Sequence, residues 1–339
     1  VTSVKLFVIG CATLVAASLA IITLTIVGNQ GTGLSEGTVV DLRVPSGAAV
    51  RRIAAQLERE SLIDYPLIFT AYVRLQGAES ELKAGHYRLT AGASYRDILE
   101  TLRAGSVVTY PLTIPEGLTI REVADRLAEF TGASIDSVRM FLNDSIRATE
   151  FGVPGPTLEG YVFPETYRFA EGVGLHTILS TIVARYHDFW GVAERDRAAE
   201  LGLNEREAVT LASIVEEEAR VGSERAIIAG VYLNRLEIKM LLQADPTVQY
   251  ALGEPKARLL YRDIDAVADH PYNTYTQPGL PPGPIASPGE ASLRATLQPA
   301  EHDYLFFVAR TDGSHEFTRT IRDHNNAKNR IRRDREARR

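Results

Sequence analysis

The chain has 339 residues, 45% of them apolar, enough for two or three domains with cores of their own. Its formal charge is −6, and Lys and Arg are spread along it without a basic stripe carrying interleaved aromatics, which argues against nucleic acid as a partner. The single cysteine, Cys11, excludes an internal disulfide and a cysteine-based metal site, and the seven histidines lack ligand spacing, so nothing calls for a metal or another cofactor.

From the N-terminus, Leu6 to Val27 is a largely apolar, uncharged run, long enough to span a bilayer as a helix. Lys5 precedes it and the first acidic residue is Glu36, which orients the N-terminus to the cytoplasm and the remainder outside. A cleaved signal peptide is the rival reading. Its apolar core would span only about 7–15 residues, so an uncleaved anchor over residues 1–30 is expected. A polar, Gly-rich linker follows, ending at residue 37.

An internal repeat then begins. "VPSGAAVRRIAAQL" (44–57), "LTAGASYRDILETL" (89–102) and "IPEGLTIREVADRL" (114–127) align without gaps. Each has a β-prone lead-in and a Gly (47, 92, 117), then an apolar or aromatic residue (Val50, Tyr95, Ile120) and an Arg (51, 96, 121). Later apolar positions (Ile53, Ile98, Val123; Leu57, Leu102, Leu127) follow at helical spacing. The pattern predicts strand, tight glycine turn and amphipathic helix, with Ser94 and Thr119 as N-caps. The alternative is that such units merely pack. The pattern resembles the LysM module, a small βααβ fold, and the resemblance implies contact with N-acetylglucosamine-containing glycans over residues 38–132.

A second domain, 133–339, is expected to be mixed. Helices are predicted over 133–150, 175–201, 205–220 and 224–240, with a β-prone segment at 158–169. A long stretch of little regular pattern follows, with four prolines between 278 and 284. Such loops are often functional. A hairpin is predicted from "YLFFVAR" (304–310) and "FTRT" (317–320), before a basic tail. The expected fold class is therefore α+β: an N-terminal transmembrane helix, a LysM-like β/α module and a mixed α+β second domain with long Gly/Pro loops.

The stretch "LASIVEEEAR" (211–220) places three glutamates behind an apolar run. On a helix at about 100° per residue the apolar stripe runs through Ala208, Leu211, Ala212, Val215 and Ala219. Glu217 falls opposite it, as a solvated charge. Glu216 and Glu218 take the flanks, Glu216 beside Ala212 and Ser213, Glu218 beside the bulkier Leu211, Ile214 and Val215. Apolar neighbours strip hydration from a carboxyl and raise its pKa, as a general acid near neutral pH requires. The competing reading is structural, with Glu216 and Glu218 paired to Arg220, Arg225 or Arg235.

"LEGYVFPETY", "LASIVEEEA", "VYLNRL", "LQADPTVQY", "YNTY" with "GLPPGPIASPG", and "HN" (324–325), in this order, resemble the YceG-like endolytic murein transglycosylases, called MltG. The resemblance runs from the anchor to about residue 329. It implies lytic cleavage of the MurNAc–GlcNAc β-1,4 bond in nascent strands, leaving 1,6-anhydroMurNAc ends. The second Glu of the family's Glu-x-Glu maps to Glu218, with Glu216 the second choice, and Glu217 stands where the family often carries Lys. Asp245 is a candidate to stabilise the transition state, or equally caps a turn before Pro246. Tyr161, Gln243, Asn273, Thr274 and Tyr275 carry sugar-binding groups. The implied partners are peptidoglycan strands and the inner (cytoplasmic) membrane, with peptidoglycan synthases (penicillin-binding proteins) as further candidates. The implied place is single-pass in that membrane with the catalytic domain outside. The alternatives are a non-catalytic membrane-anchored wall-binding protein and a hydrolytic muramidase-type glycosidase.

Overall fold

All three repeats fold as strand, glycine turn and helix. In this computed structural model, which describes Thr23, Leu34, Ser35 and residues 37–337 other than 255 and 257, strands β1 (Val39–Val44), β2 (Gly85–Thr90) and β3 (Thr109–Ile114) lead into helices. These are α1 (Val50–Arg59), α3 (Tyr95–Ala104) and α4 (Ile120–Thr131), with α2 (Pro66–Leu75) between α1 and β2. Gly47, Gly92 and Gly117 all take positive φ, a conformation that costs glycine nothing. Ser94 and Thr119 cap α3 and α4 by accepting from the Asp97 and Glu122 amides, each in a reciprocal capping box. The equivalent apolar positions are all buried. The predicted transmembrane run lies outside the described residues apart from Thr23. Among the described residues no helix is long and apolar enough to cross a membrane.

The described chain divides into two compact units. Unit 1 comprises the chain up to Tyr110 together with Arg168–Gly172. Its order β1–α1–α2–β2–α3 brings β1 and β2 together antiparallel, Val39 opposite Thr90 and Val44 opposite Gly85. Leu42, Ile53, Leu57, Phe69, Val73, Tyr87, Tyr95, Ile98 and Leu102 form one core.

Unit 2 comprises Pro111–Tyr167 and Val173–Arg339. The third repeat's helix α4 therefore belongs to it, ahead of the expected start at 133. α5 (Ile135–Leu142) packs on α4, and α6 (Ser145–Glu150) follows. After β4 (Glu165–Ala170), which pairs with β3, come α7 (Leu175–Phe189) and α8 (Val192–Glu200), split at Trp190–Gly191 where one helix was expected. Next are α9 (Glu205–Glu218), α10 (Arg225–Glu237), α11 (Asp245–Leu252), α12 (Tyr261–Ala266) and α13 (Glu290–Leu297). Helices α11 to α13 fall in the stretch that showed little pattern. Pro246 hides α11 from a periodicity reading, although proline is well tolerated in a first turn. The hairpin forms from β5 (Phe306–Ala309) and β6 (His315–Thr318), antiparallel, before α14 (Ile321–Ala337). The fold is mixed α+β, and α9 is the central helix of unit 2, with α8, α10, α11 and α13 packed on it.

Candidate active site

α9 starts at an Asn204 N-cap, whose side chain accepts from the Glu207 amide in a capping box. Every residue from Ala208 to Val215 is buried, including Thr210 and Ser213. The one-sided stripe predicted from periodicity is thus too narrow, because helices cover α9 from several directions. Ser213 Oγ donates to the Thr210 carbonyl at 2.7 Å and accepts from the Ile285 amide at 3.0 Å. That bond pins the Pro/Gly loop to the helix. The helix ends at Glu218, so all three glutamates occupy its last turn, with no basic residue there. Negative charge at a helix C-terminus opposes the macrodipole, so each carboxylate needs compensation from elsewhere.

The three find different surroundings. The Glu216 side chain is 6% exposed, ion-pairs with Arg225 at 3.1 Å and accepts from the Gly289 amide at 3.0 Å. Glu217 is exposed to a cleft, and lost hydration with the charges of Glu216 and Glu122 pushes its carboxyl up to about 7. Glu218 is half-buried and accepts from the Tyr232 hydroxyl at 3.0 Å. Burial first, then the Asp245 charge, pushes the Glu218 carboxyl up to about 7, while the Tyr232 hydrogen bond and the Arg235 cation hold it down.

Tyr232 and Arg235 stand three apart on α10, so one helix face presents both. Arg235 is 6% exposed, donates to the Leu305 carbonyl at 2.6 Å and the Leu242 carbonyl at 2.5 Å, and lies over the Phe306 ring. A buried cation held on carbonyls rather than on a carboxylate leaves its charge to act on Glu218. Asp245 opens α11 and is exposed; its Oδ1 accepts from the Tyr275 hydroxyl at 2.5 Å. The arrangement is one proton-carrying carboxyl balanced near neutrality, faced by a second carboxylate that a phenol holds in place.

A family model described as the YceG-like family matches residues 42–330. The chain belongs to the YceG-like family. The endolytic murein transglycosylase of Bacillus subtilis (strain 168) is 35% identical to it over 307 residues, covering 86% of this chain and 84% of that protein. The protein of the same name from Streptococcus pneumoniae (strain ATCC BAA-255 / R6) is 30% identical over 315 residues, 84% of this chain but 57% of the relative. A crystal structure of a yceG-like protein from Listeria monocytogenes matches with a TM-score of 0.59 at 33% identity, covering 86% of this chain and 99% of that one.

In this YceG-like chain the sequence-predicted residues take different places. Tyr275 is hydrogen-bonded to Asp245, whose charge acts on Glu218. Gln243 is exposed two residues before Asp245 and carries φ +48°, a left-handed backbone unusual for glutamine. Its amide bonds to the Thr274 carbonyl at 3.0 Å, so the strained turn sets where α11 begins. Asn273 and Thr274 are buried and turned inward. The Asn273 side chain donates to the Ile264 and Val267 carbonyls and accepts from the Tyr275 amide, all at 3.0 Å. Thr274 Oγ1 accepts from the Ala244 amide at 3.0 Å and pairs with Thr247 at 2.8 Å. Both therefore build the loop that carries Tyr275. Tyr161 is 0% exposed and packs edge-on against Tyr186 at 5.2 Å, a core side chain in this structure.

The residue reading did not single out Tyr232 or Glu159, and it named Arg235 only as a possible ion-pair partner of Glu216 or Glu218, although "VYLNRL" and "LEGYVFPETY" contain them. The i, i+3 spacing of Tyr232 and Arg235 was a usable signal. Glu159 is buried and accepts from the Ile120 amide at 2.9 Å and the Tyr250 hydroxyl at 3.0 Å. Burial pushes its carboxyl up to about 8, against the pull of those two hydrogen bonds.

Proposed function

We propose that this chain is an endolytic lytic transglycosylase of peptidoglycan, with Glu218 as its one acid and base. The observation that carries the assignment is a Glu218 carboxyl pushed up to about 7, with Tyr232, Arg235 and Asp245 setting its balance. Near neutral pH such a group can both give and take a proton. As acid it protonates the glycosidic oxygen while the bond from MurNAc C1 to that oxygen breaks. As carboxylate it then takes the C6 hydroxyl proton as O6 closes on C1. The proton returns to Glu218, no water is consumed, and the product is a 1,6-anhydro ring. The second carboxylate of the usual glycosidase pair is not needed as nucleophile. Asp245, held by Tyr275, would offset positive charge at C1. The names of relatives at 30–35% identity over most of this chain support the same reading.

We assign residues 38–110 to a glycan-holding, LysM-like role, on the strand–helix–helix–strand order with antiparallel β1 and β2. The uncharged run Leu6–Val27 would hold the enzyme in the cytoplasmic membrane, beside the synthases that extrude nascent strands. The full chain should then remain with membranes after a carbonate wash, and a chain starting at Thr38 should remain in the supernatant. Mature protein beginning near residue 28 would overturn the anchor.

The catalytic assignment is tested on purified peptidoglycan with the chain starting at Thr38, reading product ends by mass spectrometry. Glu218→Gln keeps the shape and removes the exchangeable proton, so anhydro ends should fall by ~10²–10⁴-fold with the thermal transition retained. Glu216→Gln retaining less activity than Glu218→Gln would move the assignment to the other flank of α9. Reducing ends in place of anhydro ends would make the enzyme a hydrolase.

A further inference from the structure

A cleft of about 270 Å³ opens beside the glutamate turn, entirely within unit 2. Its wall on one side is the third repeat, with Gly117 in the turn and Arg121 on α4; on the other it is α11, with Gln249, Tyr250 and Gly253. Glu217 reaches in from α9. We infer that this cleft is a saccharide subsite seating one N-acetylhexosamine ring of the strand next to the ring that is cut, with Arg121 and Glu217 as its hydrogen-bonding pair. The inference rests on the transglycosylase reading and adds to it where the neighbouring sugar lies.

Size is the first argument. Pockets for drug-sized ligands run to about 300–1,000 Å³, so this volume suits a single ring rather than a length of polymer. Shape is the second. A Cβ on Gly117 would come within 2.7 Å of Glu217 Oε1, and one on Gly253 within 2.7 Å of Arg121 Nη1. Both glycines also hold positive φ. Side chains there would push the two charged ends out of their present places, so the glycines keep donor and acceptor against the walls.

Chemistry is the third argument. Arg121 spends one N–H on the Gly253 carbonyl at 2.7 Å, which fixes the guanidinium and leaves further donors. Gln249 Oε1 accepts from the Lys256 amide at 2.8 Å, which leaves its NH₂. Glu217 makes no hydrogen bond or ion pair among the described residues and supplies acceptors. The Tyr250 ring packs at a tilt of 38° against Tyr272, with centroids 4.8 Å apart, and its hydroxyl is held by Glu159, which makes a rigid aromatic wall. Fixed donors, an unspent acceptor and a flat apolar face are what a ring with hydroxyl, acetamido and C–H surfaces requires. Position is the fourth argument. Glu217 immediately precedes Glu218, and Pro246, which also lines the cleft, immediately follows Asp245.

The test uses the chain starting at Thr38. Glu217→Gln and Arg121→Gln should each raise KM on peptidoglycan about tenfold with kcat within about twofold, while Arg333→Gln on α14 changes neither. On the Glu218→Gln background, tri-N-acetylchitotriose should shift the Gly117 and Gly253 amide resonances, and adding Glu217→Gln should abolish the shift. Arg121→Lys, which keeps a donor, serves if Arg121→Gln does not fold. Unchanged KM with active wild-type enzyme, or shifts caused by a sugar-free stem peptide and not by the chito-oligomer, would overturn the subsite and leave the enzyme reading intact. Chito-oligomer binding in the cleft without anhydro-end release by wild type would keep the subsite and overturn the enzyme reading.

Discussion

Glu218 works, on this reading, because its neighbours pull in opposite directions. Tyr232 is buried and its ring stands edge-on to Phe307 at 5.8 Å, so the hydroxyl has little freedom to leave Glu218. That hydrogen bond favours the carboxylate. Tyr232→Phe removes it and leaves the raising influences, burial and then the charges of Asp245 and Glu217, less opposed. The Glu218 pKa should rise, and the alkaline limb of the pH–activity profile, which reports loss of the acid's proton, should move to higher pH. The expected stability cost is about 1 kcal/mol, since one hydrogen bond to a partly buried group is lost. A profile that keeps its limb while kcat falls would make Tyr232 a packing residue only.

At the scale of elements, Glu159 joins the start of α4 to α11. One carboxyl oxygen takes the Ile120 amide and the other the Tyr250 hydroxyl. Its pKa of about 8 lies above the ordinary 4.5, so between these pH values the folded state binds more protons than the unfolded one. Stability therefore falls as pH rises through that window, by roughly 1.4 kcal/mol per pH unit at most for this group. Glu217 and Glu218, both raised to about 7, contribute with the same sign. Glu159→Gln keeps an acceptor for Ile120 and cannot ionise. Its melting temperature should depend less on pH between about 5 and 8 than the wild type's, measured by calorimetry in matched buffers. Equal slopes would mean that Glu159 does not titrate there.

For the whole molecule, the division at Tyr110–Pro111 gives the repeats two destinies. The first two complete unit 1 around its own core, and the third joins the unit that carries Glu218. Residues 38–110 hold the antiparallel β1–β2 pair and all of that core's main side chains. A domain of this size is marginal but foldable. The fragment should give a cooperative thermal transition and co-sediment with insoluble peptidoglycan. A folded fragment that stays in the supernatant would reduce these repeats to packing units.

Local patterns in the sequence carried much of this. The three aligned repeats, their glycine turns and the Ser94 and Thr119 caps were legible because each depends on residues within one turn of one another. The same holds for α9 and for the C-terminal hairpin. Only the tertiary structure decided which glutamate faces what. Periodicity ranks positions on a helix but does not say which partner covers each face, and α9 is covered on several. Tertiary packing also turned Asn273 and Thr274 inward, buried Tyr161 and brought Arg121 and Glu217 to one cleft. Apart from Asn273, whose side-chain partners lie within nine positions of it, these pairings join residues that are distant in the chain, 30 positions for Thr274 with Ala244 and 132 for Arg121 with Gly253, and depend on how helices stack rather than on any local spacing.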